Sequence, residues 1–141
     1  MSLVLDASMT LAWCITRSDP SEAALAQDAL NFVRINRALV PALWHSEVLN
    51  ALLVFERAKR LSQRDSSDFL SDLATLWIDQ DFAPVAATQS RLLSAARKFQ
   101  LTAYDATYFE LAQRKTAFLA TFDRQLADAF RKLGGHVFGD P

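Results

Sequence analysis

The chain has 141 residues, of which 51% are hydrophobic and 22% charged, with a formal net charge of −1. Such a composition describes one globular domain with its own core and excludes a basic module that coats duplex nucleic acid through charge alone. Cys14 is the only cysteine, so there is no internal disulfide, and no apolar run approaches the roughly 18 residues of a membrane span. The N-terminus enters a strand with neither the basic region nor the cleavage site of a secretory leader. We therefore expect a cytoplasmic protein forming a single domain over residues 1–141.

Short β-like runs alternate with longer helical patterns, which favours an α/β fold with a mostly parallel sheet. Ser2 to Leu5 reads as the first strand, and Ser8 is placed to cap a short helix through Trp13. Asp19-Pro20-Ser21-Glu22 has the acid, proline and glutamate of a helix start, and that helix extends to about Arg34. Ala38 to Val40 is a strand, and Pro41 opens a long helix from Ala42 to about Arg60. Ser62 caps a helix to about Leu76, whose acids Asp65, Asp68 and Asp72 form a solvated face. Phe82 to Val85 reads as a short strand, Thr88 to Phe99 as a helix, and Thr102 as the start of the next helix. The run Ala117 to Phe122 is a strand ending at Asp123. Arg124 to Leu133 is a helix stopped by Gly134-Gly135, and Val137-Phe138 forms an edge strand. There is no internal repeat.

Four acids stand out against this pattern. Asp6 and Asp123 end strands, Glu47 lies within an apolar helical stretch, and Asp105 opens a helix. Acids at the C-terminal ends of parallel strands point into the crevice where open α/β sheets bind ligands. Two carboxylates about 4 Å apart repel by roughly 4 kcal/mol at an effective dielectric near 20, so such a cluster needs protons or a cation to persist. A hard divalent metal is the simplest cation, and it leads to metal-assisted phosphate chemistry.

Each acid also has a structural reading. Glu47 stands among Leu43, Ala51 and Val54, a stripe expected to face the core, and reads structurally as a residue at the stripe's edge satisfied by a lysine or by water; Asn50 one turn on, placed to orient its carboxylate, favours the functional reading. Asp6 and Asp123 are placed to cap the helices that follow them, and Thr102-Ala103-Tyr104-Asp105 fits a capping box. One shared site accounts for all four positions at once. Asp128, one turn beyond Asp123, reads as a surface acid rather than a ligand. His45 and His136 have no zinc-ligand spacing to each other or to Cys14. Neither a glycine-rich phosphate loop nor a nucleophile elbow is present. The aromatics Trp13, Trp44, Phe55, Phe69 and Trp77 fall on apolar helical stripes and are expected in the core.

Four segments together resemble the PIN-domain family, and more narrowly its VapC-type toxins. They are Leu3-Val4-Leu5-Asp6-Ala7-Ser8, Val40 through Leu52, Leu101 through Tyr108, and Leu119-Ala120-Thr121-Phe122-Asp123-Arg124. Each is short and weakly specific alone, but they occur in the family's order and spacing over nearly the whole chain. The resemblance implies a three-layer α/β fold and an endoribonuclease that needs Mg2+ or Mn2+. It places the acidic site on Asp6, Glu47, Asp105 and Asp123. Ser8 and Thr121 match hydroxyl positions near the metal, and Asn50 matches a polar position behind the glutamate. It further implies an RNA substrate, a homodimer and a small antitoxin that obstructs the site. Two alternatives compete. A non-catalytic PIN-like interaction domain would gain nothing from an intact set of repelling acids. A receiver-like phosphoacceptor domain would need an acidic pair after the first strand, whereas Asp6 stands without one.

Overall fold

The computed structural model describes residues 1–141. Four short strands, β1 (Leu3–Leu5), β2 (Ala38–Val40), β3 (Ile78–Gln80) and β4 (Phe118–Ala120), form one sheet in the order β3-β2-β1-β4. Every pairing is parallel, and β1 lies in the middle with Leu3 opposite both Ala38 and Phe118. Parallel strands require crossovers, and seven helices supply them: α1 (Ala7–Leu11), α2 (Pro20–Ile35), α3 (Ala42–Arg57), α4 (Gln63–Leu73), α5 (Val85–Phe99), α6 (Ala103–Lys115) and α7 (Arg124–Lys132). All three residues of β1 are fully buried, as are Ala38 and Val40. Successive side chains point to opposite faces of a strand, so helices cover the sheet on both sides. The expected three-layer α/β fold is therefore present. No helix is long and apolar enough to cross a membrane.

Several boundaries differ from the sequence reading, each for an identifiable reason. The third strand is Ile78–Gln80 rather than Phe82–Val85. It is an edge strand with all three residues half-buried, and Asp79 is held by Arg37 at 2.8 Å. Phe82 lies outside the ladder and is 82% exposed, and α5 begins at Val85 instead of Thr88. Val137 makes one isolated parallel bridge to Leu119, so the expected edge strand is reduced to a single rung. Helix α7 ends as expected at the two glycines: Gly134 takes a positive φ of 85°, and a Cβ on Gly135 would collide with the Phe130 ring. The short first helix starts at Ala7, so Ser8 lies inside it and does not cap it. On α3 the buried stripe is Trp44, Val48 and Leu52, one position round from the expected one, and Val54 is half-exposed. Trp44 and Phe69 are core residues, whereas Trp77 is 59% exposed and is not.

One polar network lies within this otherwise apolar frame. Glu110 of α6 is buried and accepts from Arg114 at 2.7 Å and from Arg91 of α5 at 3.1 Å. Arg114 also binds Asp81, just past β3, at 2.6 Å, and this pairing holds the Asp81 carboxyl below its ordinary range. The network clamps the open side of the sheet to the α5–α6 pair. Removing one partner of a buried ion pair strands the other charge. Arg114→Ala is therefore expected to lower stability by about 2 kcal/mol, less than a fully dry pair because Arg91 still faces Glu110. Arg91→Ala, at an exposed guanidinium, should cost under about 1 kcal/mol. Urea denaturation of both variants checks the order, and equal losses would show that the network is not centred on Arg114.

Candidate active site

The ends of β1 and β4 bring the first acid into place. The ladder continues one residue beyond β1, where the Asp6 N–H donates to the Ala120 carbonyl at 3.0 Å. Asp6 is 6% exposed and stands at the cap position of α1, but its side chain does not cap the helix. Instead its Oδ2 accepts from Thr121 Oγ1 at 2.6 Å and from Ser8 Oγ at 2.7 Å. These hydroxyls are themselves fixed, because the Phe122 N–H donates to Ser8 and the Asp123 N–H to Thr121, both at 2.9 Å. The clamp turns the backbone after β4 so that Asp123 follows directly. Asp123 Oδ1 accepts from the Leu126 N–H at 2.9 Å and caps α7. The capping role foreseen for this residue thus uses one carboxylate oxygen and leaves Oδ2 without a hydrogen bond.

Glu47 is positioned by α3, whose register is tied to Asp6. Trp44 Nε1 donates to Thr10 Oγ1 at 3.0 Å, and that hydroxyl donates to the Asp6 carbonyl at 3.1 Å. One turn past Trp44, Glu47 lies at the edge of the buried stripe and is half-buried. Its Oε1 accepts a short hydrogen bond from the phenol of Tyr108, a fully buried residue of α6. Asn50 is exposed and makes no such bond, so the polar support of Glu47 comes from Tyr108. Asp105, on the first turn of α6, donates its N–H to Thr102 Oγ1 at 3.1 Å. The reciprocal half of the capping box, a bond from the Thr102 N–H, is absent, while the Thr102 hydroxyl acts on the Asp105 carboxylate and partly offsets the rise of its pKa. Asp128 turns outward to pair with Arg131 at 2.9 Å.

The four carboxylates sense one another. Burial raises the Asp6 carboxyl above its ordinary range, and the negative charge of Asp123 adds to this against the two hydroxyl donors. Glu47 is raised by burial and by Asp6 and Asp105, and Asp105 by burial and by Asp123 and Asp6. Burial and the neighbouring Glu47 also push the Tyr108 phenol far up, so it remains a proton donor. Tyr108 is the residue that reasoning from the sequence missed as a participant. The available signal was its place three residues after Asp105, on the same helical side.

The donor set is four carboxylates and adjacent hydroxyls, which suits a hard cation that takes oxygen ligands. In this arrangement no three of the acids come together closely enough to form a ready metal cage.

A central parallel sheet with acids at its C-terminal edge defines the class of protein, and comparison with known proteins gives the family. The PIN domain profile matches residues 3–132, and the chain belongs to the PIN domain family. It is 31% identical over 135 residues to Ribonuclease VapC3 of Pyrobaculum aerophilum, spanning 94% of this chain and 98% of that protein. Among solved structures, PAE2754 from Pyrobaculum aerophilum superposes with a TM-score of 0.67 at 23% identity, covering 92% of this chain and 79% of the other. FitAcB from Neisseria gonorrhoeae superposes with a TM-score of 0.65 at 16% identity, covering 97% and 96%. The receiver-like alternative ends here, since a flavodoxin-like receiver sheet runs 2-1-3-4-5 and this one runs 3-2-1-4.

The raised carboxyls fix the direction of a pH effect. A carboxyl with a higher pKa in the folded than in the unfolded chain binds its proton more tightly when folded. Stability therefore rises as pH falls from that raised value towards the ordinary one near 4. Carboxyls held low, such as Asp81, lose their contribution only below about 4. In chelator, the urea midpoint should thus increase from neutral to mildly acidic pH before it collapses. Asp6→Asn should raise stability at neutral pH and flatten that rise. A midpoint lower than wild type at pH 7 would contradict the repulsion described here.

Proposed function

We propose that this protein is a metal-dependent endoribonuclease and the toxin of a toxin–antitoxin pair. The observation that carries this reading is the convergence of Asp6, Glu47, Asp105 and Asp123 from four separate elements, with three of the four carboxyls raised by burial and by one another. A PIN-domain chain 31% identical to a ribonuclease along nearly its full length supports the substrate class. An interaction domain without catalysis would carry the instability of that cluster to no purpose.

When bound, Mg2+ or Mn2+ supplies Lewis acidity at the scissile phosphate and acidifies water. The protein's own groups divide the remaining work. Asp6 offers one oxygen to the site while Ser8 and Thr121 hold the other. Asp123 is held by its cap bond and offers Oδ2. Glu47 is aimed by the Tyr108 phenol, and Asp105 is held at the start of α6 by Thr102. Ser8 and Thr121 thus act as positioning residues for Asp6. A small antitoxin has a surface to bind. Leu49 of α3 and Leu70 of α4 are exposed apolar side chains lining a cleft of about 280 Å³ with Trp44 and Ile78. Self-association as a homodimer is proposed alongside, with a cytoplasmic location.

Digestion of total cellular RNA by the purified protein tests the reading. Cuts at defined sites are expected with Mg2+ or Mn2+ and none with chelator, leaving 5′-phosphate and 3′-hydroxyl ends. Asp6→Asn and Asp105→Asn should each reduce cleavage by about 100-fold or more, on the scale of removing one charge-stabilising group from an active site. Wild-type rates in both variants would remove these residues from the site, and cleavage of DNA in place of RNA would change the substrate class. Tyr108→Phe keeps the ring and removes the donor to Glu47. We expect it to lower the cleavage rate about tenfold, while stability falls by about 1 kcal/mol. Unchanged cleavage would show that Glu47 needs no such support.

A further inference from the structure

Four carboxylates repel the phosphates that an RNA substrate must bring to them, so cations and stacking surfaces beside the cluster have to hold the strand. One such surface lies immediately after β4. Phe122 is flanked by Thr121, which binds Asp6, and by Asp123. The Arg17 guanidinium stacks over its ring at 4.5 Å. Arg17 is 38% exposed and is tethered by Glu22 of α2 at 3.1 Å. The guanidinium is therefore held over an aromatic ring, tied by one nitrogen to Glu22, and partly open to solvent.

The same place borders a groove of about 530 Å³ between α2 and α7, lined by Glu22, Phe122, Asp123 and Arg124 among others. That volume is within the range of small-molecule sites, roughly 300–1,000 Å³. Arg124 is exposed and has no ion-pair partner, whereas Arg131 at the far end of α7 is occupied by Asp128 and Asp140. Asp19, the cap of α2, is held low by hydrogen bonds from Ser21 and Glu22, with the Arg124 charge adding to them. The groove thus holds a free cation and one of the four acids, and Arg17 stands at its border through its contacts to two lining residues, Phe122 and Glu22.

We propose that the groove between α2 and α7 seats the single-stranded nucleotide next to the scissile phosphate, with Arg17 on Phe122 as the stacking platform for its base and Arg124 as the contact to its phosphate. This assignment rests on the ribonuclease reading. Single-stranded RNA is commonly held by bases stacked on aromatic rings or guanidinium planes. Because Glu22 neutralises Arg17, the platform works through its flat face, whereas Arg124 works through its charge. The two residues therefore have different signatures. Lysine cannot replace Arg17, because an ammonium has no plane, but it substitutes in part for Arg124.

The test is steady-state cleavage, with Mn2+, of an RNA oligonucleotide carrying a site that the wild-type protein cuts, repeated over a salt series. Arg17→Ala and Arg17→Lys should both raise KM roughly tenfold, with the loss falling on KM and not on kcat. Arg124→Ala should raise KM and make the salt dependence shallower by about 0.7 in log–log slope, and Arg124→Lys should lose less. Arg37→Ala, which precedes β2 and so lies at the opposite edge of the sheet, is the unaffected control. Thermal melts verify that Arg17→Lys, which can keep the ion pair to Glu22, remains folded. Arg17→Lys equal to wild type, or a loss confined to kcat, would overturn the platform. An unchanged salt slope in Arg124→Ala would overturn the phosphate contact. A wild-type protein that cuts no RNA would defeat the ribonuclease reading itself, an outcome separate from wild-type cleavage with unaffected Arg17 and Arg124 variants.

Discussion

Asp6 is the point on which the site depends, and its burial is the constraint. A carboxylate that is 6% exposed survives only if donors replace the water it has lost. Ser8 and Thr121 provide those donors from two different strand ends, and both aim at the same oxygen. The clamp therefore joins the end of β1 to the end of β4 and leaves the second oxygen for other use. It also sets the backbone that follows, since the same two hydroxyls accept from Phe122 and Asp123. Thr10 and Trp44 extend the tie to α3, and hence to Glu47. A purely apolar junction of β1 and β4 would be at least as stable and would position none of these groups.

The second constraint is that the acids oppose one another. Their mutual repulsion and burial raise three of the four carboxyls, which is free energy held against folding and released when positive charge arrives. Sites that are locally destabilised in this way sit on rigid frames, and this one sits on a fully buried central strand. The Arg114–Glu110–Asp81 clamp uses none of the four acids and ties the end of β3 to α6. Charges of opposite sign are thus paired where they brace the fold and left unpaired where they face the crevice.

Much of this arrangement was legible in the sequence, because the strands that build the site are short apolar runs ending in an acid. Leu3-Val4-Leu5-Asp6 and Leu119-Ala120-Thr121-Phe122-Asp123 are found by pattern alone, since a buried parallel strand has no polar alternation to disguise it. The third strand escaped for the opposite reason. Ile78-Asp79-Gln80 is an edge, its polar residues are acceptable there, and Asp79 is satisfied by Arg37. Phe82 attracted the strand assignment through hydrophobicity, although nothing covers it. The stripe on α3 slipped by one position because Leu43, Trp44, Ala51 and Leu52 are all apolar, so periodicity does not separate two adjacent faces of the helix. At the site, helix spacing, which is local, offered Asn50 as a partner for Glu47, but Asn50 is exposed and makes no bond to it. Tyr108 was not visible, because it is 61 residues away and meets Glu47 only after α3 and α6 pack.

That difference between local and distant information also bears on substrate recognition. Carboxylates at strand ends act on the phosphate that every nucleotide shares, so on the proposed function they carry no preference for one sequence over another. Arg17 lies in the segment between α1 and α2, whose length and sequence are free of the sheet. It reaches the site through a cation–aromatic contact across 105 positions, from 17 to 122. A loop residue that borrows its position from a core element can vary without disturbing Asp6 or its clamp. On the proposed function, selectivity is then most economically placed on Arg17 and the α2–α7 groove, and the chemistry on the acids at the strand ends. Changes in the loop between α1 and α2 are expected to redirect the enzyme while leaving the carboxylate cluster intact.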